Sequence, residues 1–400
     1  MIDSPDLDRW GRPVLVIGVL LLTAAISVTV AARGWTAAWE LFGVEWPGVY
    51  SFLDTRVVTG AAESFAAGYD PLRENPRDPS QRPLNYPRVW HGLGYLGVRE
   101  AHSDVVGSIF VGLFLAGVGL AFARLDLRTG LLLLIFLASP AVLFGVERGN
   151  NDLVVFFLLA LALAVGRRNH AAGLLPVVLA AVLKIYPAFA LGYGLREGSR
   201  RALGLLAGAT AVLAVYLVAT ADDLTAMRGV TEKSYALSYG IETTELLLRE
   251  RFGLETSGVR WALTGCAVLA LALAYGVGRR IAARPAASPH LDAFRIGTGV
   301  FLGTFLLISS WDYRLVFLYF AIPQLLAWID VANGARDVRL AAWVSLVLVF
   351  LAVWKTGSAP TSHLAIAWTL FACLGYLYMR TLPAALPRSR NADASVTAGR

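Results

Sequence analysis

Apolar stretches of about the length that one bilayer crossing requires, some 20 residues at 1.5 Å of helical rise each, recur along the whole chain. They lie at 13–32, 105–123, 131–146, 151–166, 171–195, 202–220, 259–278, 296–310, 315–330, 338–354 and 363–380. Backbone in hydrocarbon has to satisfy its own hydrogen bonds, so such runs fold as helices. The pattern predicts an all-α, polytopic transmembrane helical bundle that crosses the bilayer roughly ten times or more. Composition agrees: 57% of residues are apolar and 16% charged, whereas a soluble domain carries about 25% charged residues. Lipid must cover the deficit. The runs leave no room for a soluble domain of about 100 residues, and residues 1–400 read as a single transmembrane domain.

The net charge of +7 comes from 35 basic residues, of which only Lys184, Lys233 and Lys355 are lysine. In a membrane protein such charge faces anionic lipid on the cytoplasmic side. No nucleic-acid module is visible, and none is expected as a partner. Cys266 and Cys373 both lie in apolar runs and read as small core residues, neither a disulfide nor a metal pair. The first run lacks a small-residue cleavage site and continues into Arg33-Gly34-Trp35, which favours a retained anchor over a cleaved signal.

Basic clusters separate the runs: Arg9/Arg12, Arg124/Arg128, Arg167/Arg168, Arg196/Arg200/Arg201, Arg279/Arg280/Arg284, Arg336/Arg339 and Arg380/Arg388/Arg390. All seven face the cytoplasm, together with both termini, only if 171–195 enters and leaves on one side as a helical hairpin. The turn then falls at Lys184-Ile185-Tyr186-Pro187. Each limb of about 12 residues spans ~18 Å, too short to cross, and Pro187 disfavours helix at Tyr186. A single tilted, proline-kinked helix is the rival. The hairpin topology puts two long loops outside, 33–104 and 221–258, with short outer turns at 147–152, 309–314 and 355–363, and leaves a cytoplasmic tail at 381–400. Long loops are usually functional.

Polar chemistry gathers in those loops. Asp54 opens a stretch in which Val57, Val58, Ala61, Ala62 and Phe65 recur at helical spacing, predicting a juxtamembrane helix that ends at Gly68. Asp54 has two compatible readings, its N-cap and a carboxylate at the lipid–water boundary that takes a proton from an acceptor hydroxyl. Tyr86, Arg88 and His91 follow in a stiff, proline-bearing stretch with Arg82; aromatic anchoring competes with contact to phosphate or sugar. Glu147-Arg148-Gly149-Asn150-Asn151-Asp152 packs an acid, a base and two amides into one tight turn. Asn151 or Asp152 would cap the next helix, yet the turn holds more than a cap needs. Lys184 follows twelve apolar or small residues, and a cation at that depth snorkels or faces a partner or cavity. Asp312 and Arg314, in Trp311-Asp312-Tyr313-Arg314, either pair with each other or leave Arg314 to grip phosphate in a fork geometry. His91, His102, His170, His290 and His363 are scattered, with no metal-ligand spacing.

These pieces together resemble the GT-C membrane glycosyltransferases. The early Asp54, then Gly68-Tyr69-Asp70-Pro71-Leu72, then Tyr86-Pro87, are most similar to the polyprenyl-phosphate-mannose-dependent mannosyltransferases of glycosyltransferase family 87. So are Leu183-Lys184-Ile185-Tyr186-Pro187 and Trp311-Asp312-Tyr313-Arg314. The resemblance covers most of 50–330. The chain has Tyr86-Pro87-Arg88 where the family often has Tyr-Pro-Pro, and Gly149-Asn150-Asn151-Asp152 in place of a Gly-Gln-Asn-like turn. The resemblance implies a GT-C-like bundle and an inverting hexosyl transfer, mannose foremost, from a polyprenyl-phosphate carrier to a lipid or glycan hydroxyl. The transfer would occur at the outer face of the plasma membrane, with neither nucleotide sugar nor metal cofactor. Asp54 inherits the general-base role. Lys184, Arg314 and Arg88 become the phosphate cations, and Asp312, Tyr86, His91, Asn150, Asn151, Asp152 and Glu147 fill out the substrate site. Asp54 and Lys184 should then face one cavity. A lipid-carrier flippase or other transporter is the competing class and should show paired, symmetric broken helices.

Overall fold

The computed structural model describes residues 10–195, 200–254, 256–280, 288–307, 310–331, 335–355 and 360–382. The expected tail beyond 382 and the basic positions Arg9, Arg196, Arg284, Arg388 and Arg390 lie outside the described residues.

Regular structure is almost wholly helical. Among the described residues, six helices are long and apolar enough to cross a membrane: Gly11–Arg33, Glu100–Ala121, Ala202–Ala219, Gly258–Gly278, Arg336–Trp354 and Pro360–Thr381. Only 6% of the apolar window is buried in Ala202–Ala219 and in Gly258–Gly278. Val212, Val215, Val218, Leu269 and Leu273 are each more than half exposed. Faces this apolar need hydrocarbon as their solvent, so the chain is a multi-pass membrane protein.

Among the described residues, fewer single helices reach spanning length than there are apolar runs. Leu127–Leu137 and Pro140–Arg148 form one run bent by 57°, at a proline that removes a backbone donor. Asp152–Gly166 and His170–Lys184 are too short to span. In Asp152–Gly166, Val155, Phe156, Leu159 and Ala160 have no exposed surface at all. Apolar residues buried in protein and apolar residues bathed in lipid read alike in sequence, which is why these inner helices resemble crossings.

The segment expected as a hairpin folds back on itself. His170–Lys184 is followed by a nine-residue 3-10 helix, Tyr186–Gly194. The Tyr193 ring returns to lie 4.3 Å from that of His170, at the start of the first limb. Ile185 makes the turn at φ 31°, a conformation that a β-branched residue holds only under strain from its surroundings. A second break, absent from the sequence reading, follows helix Leu291–Leu307: the buried 3-10 helix Asp312–Phe320, then Ile322–Asp330. Gly299 and Gly303 let Leu291–Leu307 approach the hairpin closely, since an added Cβ would meet the Phe189 carbonyl oxygen at 2.5 Å and its ring at 2.2 Å.

The two long loops are themselves folded. Helix Leu53–Ala66 forms as expected and buries Val57, Val58, Ala61 and Ala62. Its opposite side is covered too, with Thr55 and Thr59 fully buried and Thr59 bonded to Ser103 at 2.6 Å. It is therefore packed against protein on both of these sides. The second loop carries helices Ala221–Val230 and Ile241–Phe252. Its Ser238–Tyr239 pairs antiparallel with Ser310–Trp311, Ser238 opposite Trp311 and Tyr239 opposite Ser310, which ties the loop to the Trp311–Arg314 turn. Cys373 is half-buried, but Cys266 is exposed on Gly258–Gly278 and is not a core residue.

Candidate active site

Asp54 lies in the first turn of Leu53–Ala66, where the N-cap is Phe52 and no side chain caps. The capping role expected as one reading of Asp54 is not what the side chain does. The helix N-terminus still favours a carboxylate at this position. Asp54 instead faces a cavity of about 240 Å³ whose lining includes Arg82, Tyr86, Arg148, Trp311 and Tyr313. Its Oδ2 accepts a 2.6 Å hydrogen bond from Asn150 Nδ2. Its Oδ1 lies 3.6 Å from Arg148 Nη1 and 3.9 Å from Arg82 Nη1.

The turn that brings Asn150 to Asp54 depends on Gly149, at φ 55° and with Thr55 Oγ1 only 2.5 Å from where a Cβ would stand. The Thr55 hydroxyl donates to the Gly149 carbonyl at 2.6 Å. The Leu53–Ala66 helix and the turn after Pro140–Arg148 are thereby held edge to edge.

Behind the cavity wall lies a buried polar cluster. Lys184 forms an ion pair with Asp152 and donates to Asn150 Oδ1 at 2.8 Å and Asn151 Oδ1 at 2.5 Å. Its ammonium also lies 4.8 Å from the Tyr86 ring centroid. Tyr186 donates to Asp152, and Arg314 Nε lies 3.6 Å from the other oxygen of the same carboxylate. A cation at this depth needs such partners. Neither Lys184 nor Arg314 is among the residues lining the cavity. Asp54 and Lys184, expected to face one hollow, meet through Asn150.

The remaining candidates separate. Tyr86 lines the cavity, its Oη 3.4 Å from Asn150 Nδ2; burial, and then the Asp54 charge, push its hydroxyl well above the usual phenol range, so it stays a neutral donor. Glu147 is fully buried, turned away from the cavity, and accepts from Trp35 Nε1 at 3.0 Å and Gly48 N at 2.8 Å. It fixes the start of the first loop. Asp312 does not pair with Arg314; its Oδ1 lies 3.6 Å from His363 Nε2. His91 is buried against the Phe65 ring at 5.1 Å, and burial, then Arg88, lower its basicity.

Arg88 bridges the two long loops. It makes a bidentate pair with Asp70 at 2.9 and 3.1 Å and reaches Asp223 at 2.7 Å. The hydrogen bond from Arg88 holds the Asp70 carboxyl below its usual range, so the clamp persists as pH falls until that depressed value is passed. Both partners are partly solvated, and Arg88→Ala should cost no more than about 1 kcal/mol. Thermal unfolding in detergent checks this; a loss several times larger would make the clamp a structural keystone.

Sequence reasoning did not select several residues of the cavity wall, among them Asn85, Glu232 and Arg148; of these Arg148 is the one beside Asp54. It projects beside Phe144, one turn earlier on the same helical face, and both line the cavity. Its position in the dense polar turn was the available signal. Among the described residues no three His, Cys, Asp or Glu side chains gather as a metal set.

The sequence profile of glycosyltransferase family 87 matches residues 104–310, just over half of the chain. The chain belongs to glycosyltransferase family 87. The match contains the Glu147–Asp152 turn and Lys184 and begins beyond Asp54. No curated protein and no solved structure matches the chain. Family 87 membership makes it a glycosyltransferase and sets aside the flippase alternative.

Proposed function

We propose that this family 87 enzyme transfers a hexose, mannose in keeping with the family resemblance, from a polyprenyl-phosphate carrier to a hydroxyl of a lipid or glycan acceptor. The reaction would invert the anomeric centre and take place at the outer face of the plasma membrane. The observation that carries this is the Asp54 carboxylate on the wall of a cavity shared with two guanidinium groups, those of Arg82 and Arg148. A sugar hydroxyl is a weak nucleophile, and a positioned carboxylate that takes its proton accelerates attack by about 10²–10⁴-fold. The departing lipid phosphate gains negative charge, which the guanidinium groups stabilise.

Arg148 is the better phosphate ligand of the two. Arg82 is held by Asp78 at 3.0 Å and by the Leu53 carbonyl at 2.8 Å, whereas Arg148 has Glu147 and Asp54 at 3.5 and 3.6 Å, beyond hydrogen-bond length. Arg148 and Arg82 thus take over the role the sequence suggested for Lys184, Arg314 and Arg88.

The carrier's tail also has a suitable place. An apolar cleft of about 450 Å³ runs between Gly11–Arg33, Ser103–Ala121 and the bent pair, lined by residues such as Leu22, Ile26, Val111, Leu115 and Val146. Leu143 and Val146 of Pro140–Arg148 face this cleft, while Phe144 and Arg148 face the polar cavity. One helix therefore borders both a lipid-like space and an ionic one.

Radiolabelled polyprenyl-phosphate mannose offered to the purified enzyme in lipid nanodiscs should give labelled acceptor, where a nucleotide sugar gives none. Transfer from the nucleotide sugar alone would overturn the donor assignment. Arg148→Met should raise KM for the lipid donor by roughly 10- to 100-fold, the worth of a hydrogen bond to a charged group. An unchanged KM would remove Arg148 from the phosphate site.

A further inference from the structure

The amide of Asn150 lies between two charged systems, and its orientation is fixed by chemistry. Lys184 Nζ has only protons to give, and so does the Asp152 backbone nitrogen; both contact Asn150 Oδ1, at 2.8 and 2.9 Å. The Nδ2 end must then face Asp54, and it does so at 2.6 Å from Oδ2. Asn150 has no exposed surface, and its neighbours are locked in turn by Lys184's pair with Asp152.

We infer that Asn150 is a positioning residue: its amide, oriented by Lys184 and the Asp152 nitrogen, holds Asp54 Oδ2 and leaves Oδ1 toward the cavity as the oxygen that receives the acceptor's proton. This rests on Asp54 being the general base. Oδ1 is the oxygen beside Arg148 and Arg82, on the cavity side. In the step itself the acceptor O–H bond breaks and its proton goes to Oδ1. The acceptor oxygen forms a bond to the anomeric carbon, whose bond to the phosphate oxygen breaks, and the electron pair leaves with the phosphate. Asn150 touches no reacting atom. Its contribution is to prevent the carboxylate from rotating, so that Oδ1 stays aimed at the acceptor. The buried lysine acts at one remove, by deciding which end of the amide meets Asp54.

Asn150→Asp tests this with little change of shape. The variant keeps an oxygen for Lys184 and the Asp152 nitrogen, so the buried cluster survives, but it loses the donor and sets a second carboxylate against Asp54. In the full-length enzyme, kcat should fall by roughly 10²-fold with KM for polyprenyl-phosphate sugar unchanged. The acid limb of the kcat–pH profile should move to higher pH, because a second carboxylate now stands against the one that accepts the proton. If Asn150→Asp does not fold, Asn150→Ala gives the same readouts, with the profile shift smaller. A purely structural amide would lower the amount of folded enzyme and leave the profile in place. Wild-type kcat and profile in the folded variant would overturn the inference. Normal turnover by Asp54→Asn, run alongside, would instead remove the general base on which it rests.

Discussion

Asp54→Asn should leave turnover at least about 10²-fold below wild type, and up to about 10⁴-fold below it, the range that a lost general base spans. The substitution is nearly isosteric, and the new amide oxygen can still accept from Asn150 Nδ2, 2.6 Å away in the wild type. Folding and donor affinity should therefore survive. Arg148 and Arg82 gain freedom when the neighbouring negative charge is removed, so binding of the lipid donor should hold or tighten slightly. Single-turnover transfer by purified protein, with donor binding measured on the same preparation, separates the two effects. Near-normal turnover in that preparation would exclude Asp54 as the base, whatever the cavity looks like.

The sequence exposed the helices because apolar runs near bilayer length leave the backbone only itself to bond to, and it exposed the hairpin because two basic clusters flank one run that Pro187 interrupts. It could not separate helices that face lipid from helices that face protein. Asp152–Gly166 is as apolar as any true span, yet it is lined with residues that see no solvent at all. Asp54 was legible through its helix and its place in the first loop. Its surroundings were not, since Asn150 lies 96 residues away and the pairing depends on Gly149 closing against Thr55. Polar residues at membrane depth were recognisable as functional or paired, but a sequence does not say which. Lys184 and Arg314 became phosphate candidates because they were conspicuous cations. In the fold both answer to Asp152, while the cation nearest Asp54, Arg148, was hidden in a turn already crowded with candidates.

That change of partner alters what Lys184→Met should do. As a phosphate ligand, Lys184 would on removal weaken donor binding. As the buried partner of Asp152 it should, on removal, destabilise the fold, leaving a carboxylate with 2% side-chain exposure facing Tyr186 and an Arg314 nitrogen 3.6 Å away. Breaking one side of a buried pair costs about 3–5 kcal/mol, because the remaining charge keeps its desolvation penalty. The expected result is a sharply lowered unfolding temperature in detergent and a reduced yield of folded enzyme. In the fraction that folds, KM for the lipid donor should be unchanged and kcat reduced, since the Asn150 amide has lost one of the two donors that orient it. Asp152→Asn in the same background should recover part of the stability, by removing the charge that Lys184 no longer balances. A variant with wild-type unfolding temperature and a raised KM would return Lys184 to the phosphate and place the buried cluster inside the substrate site.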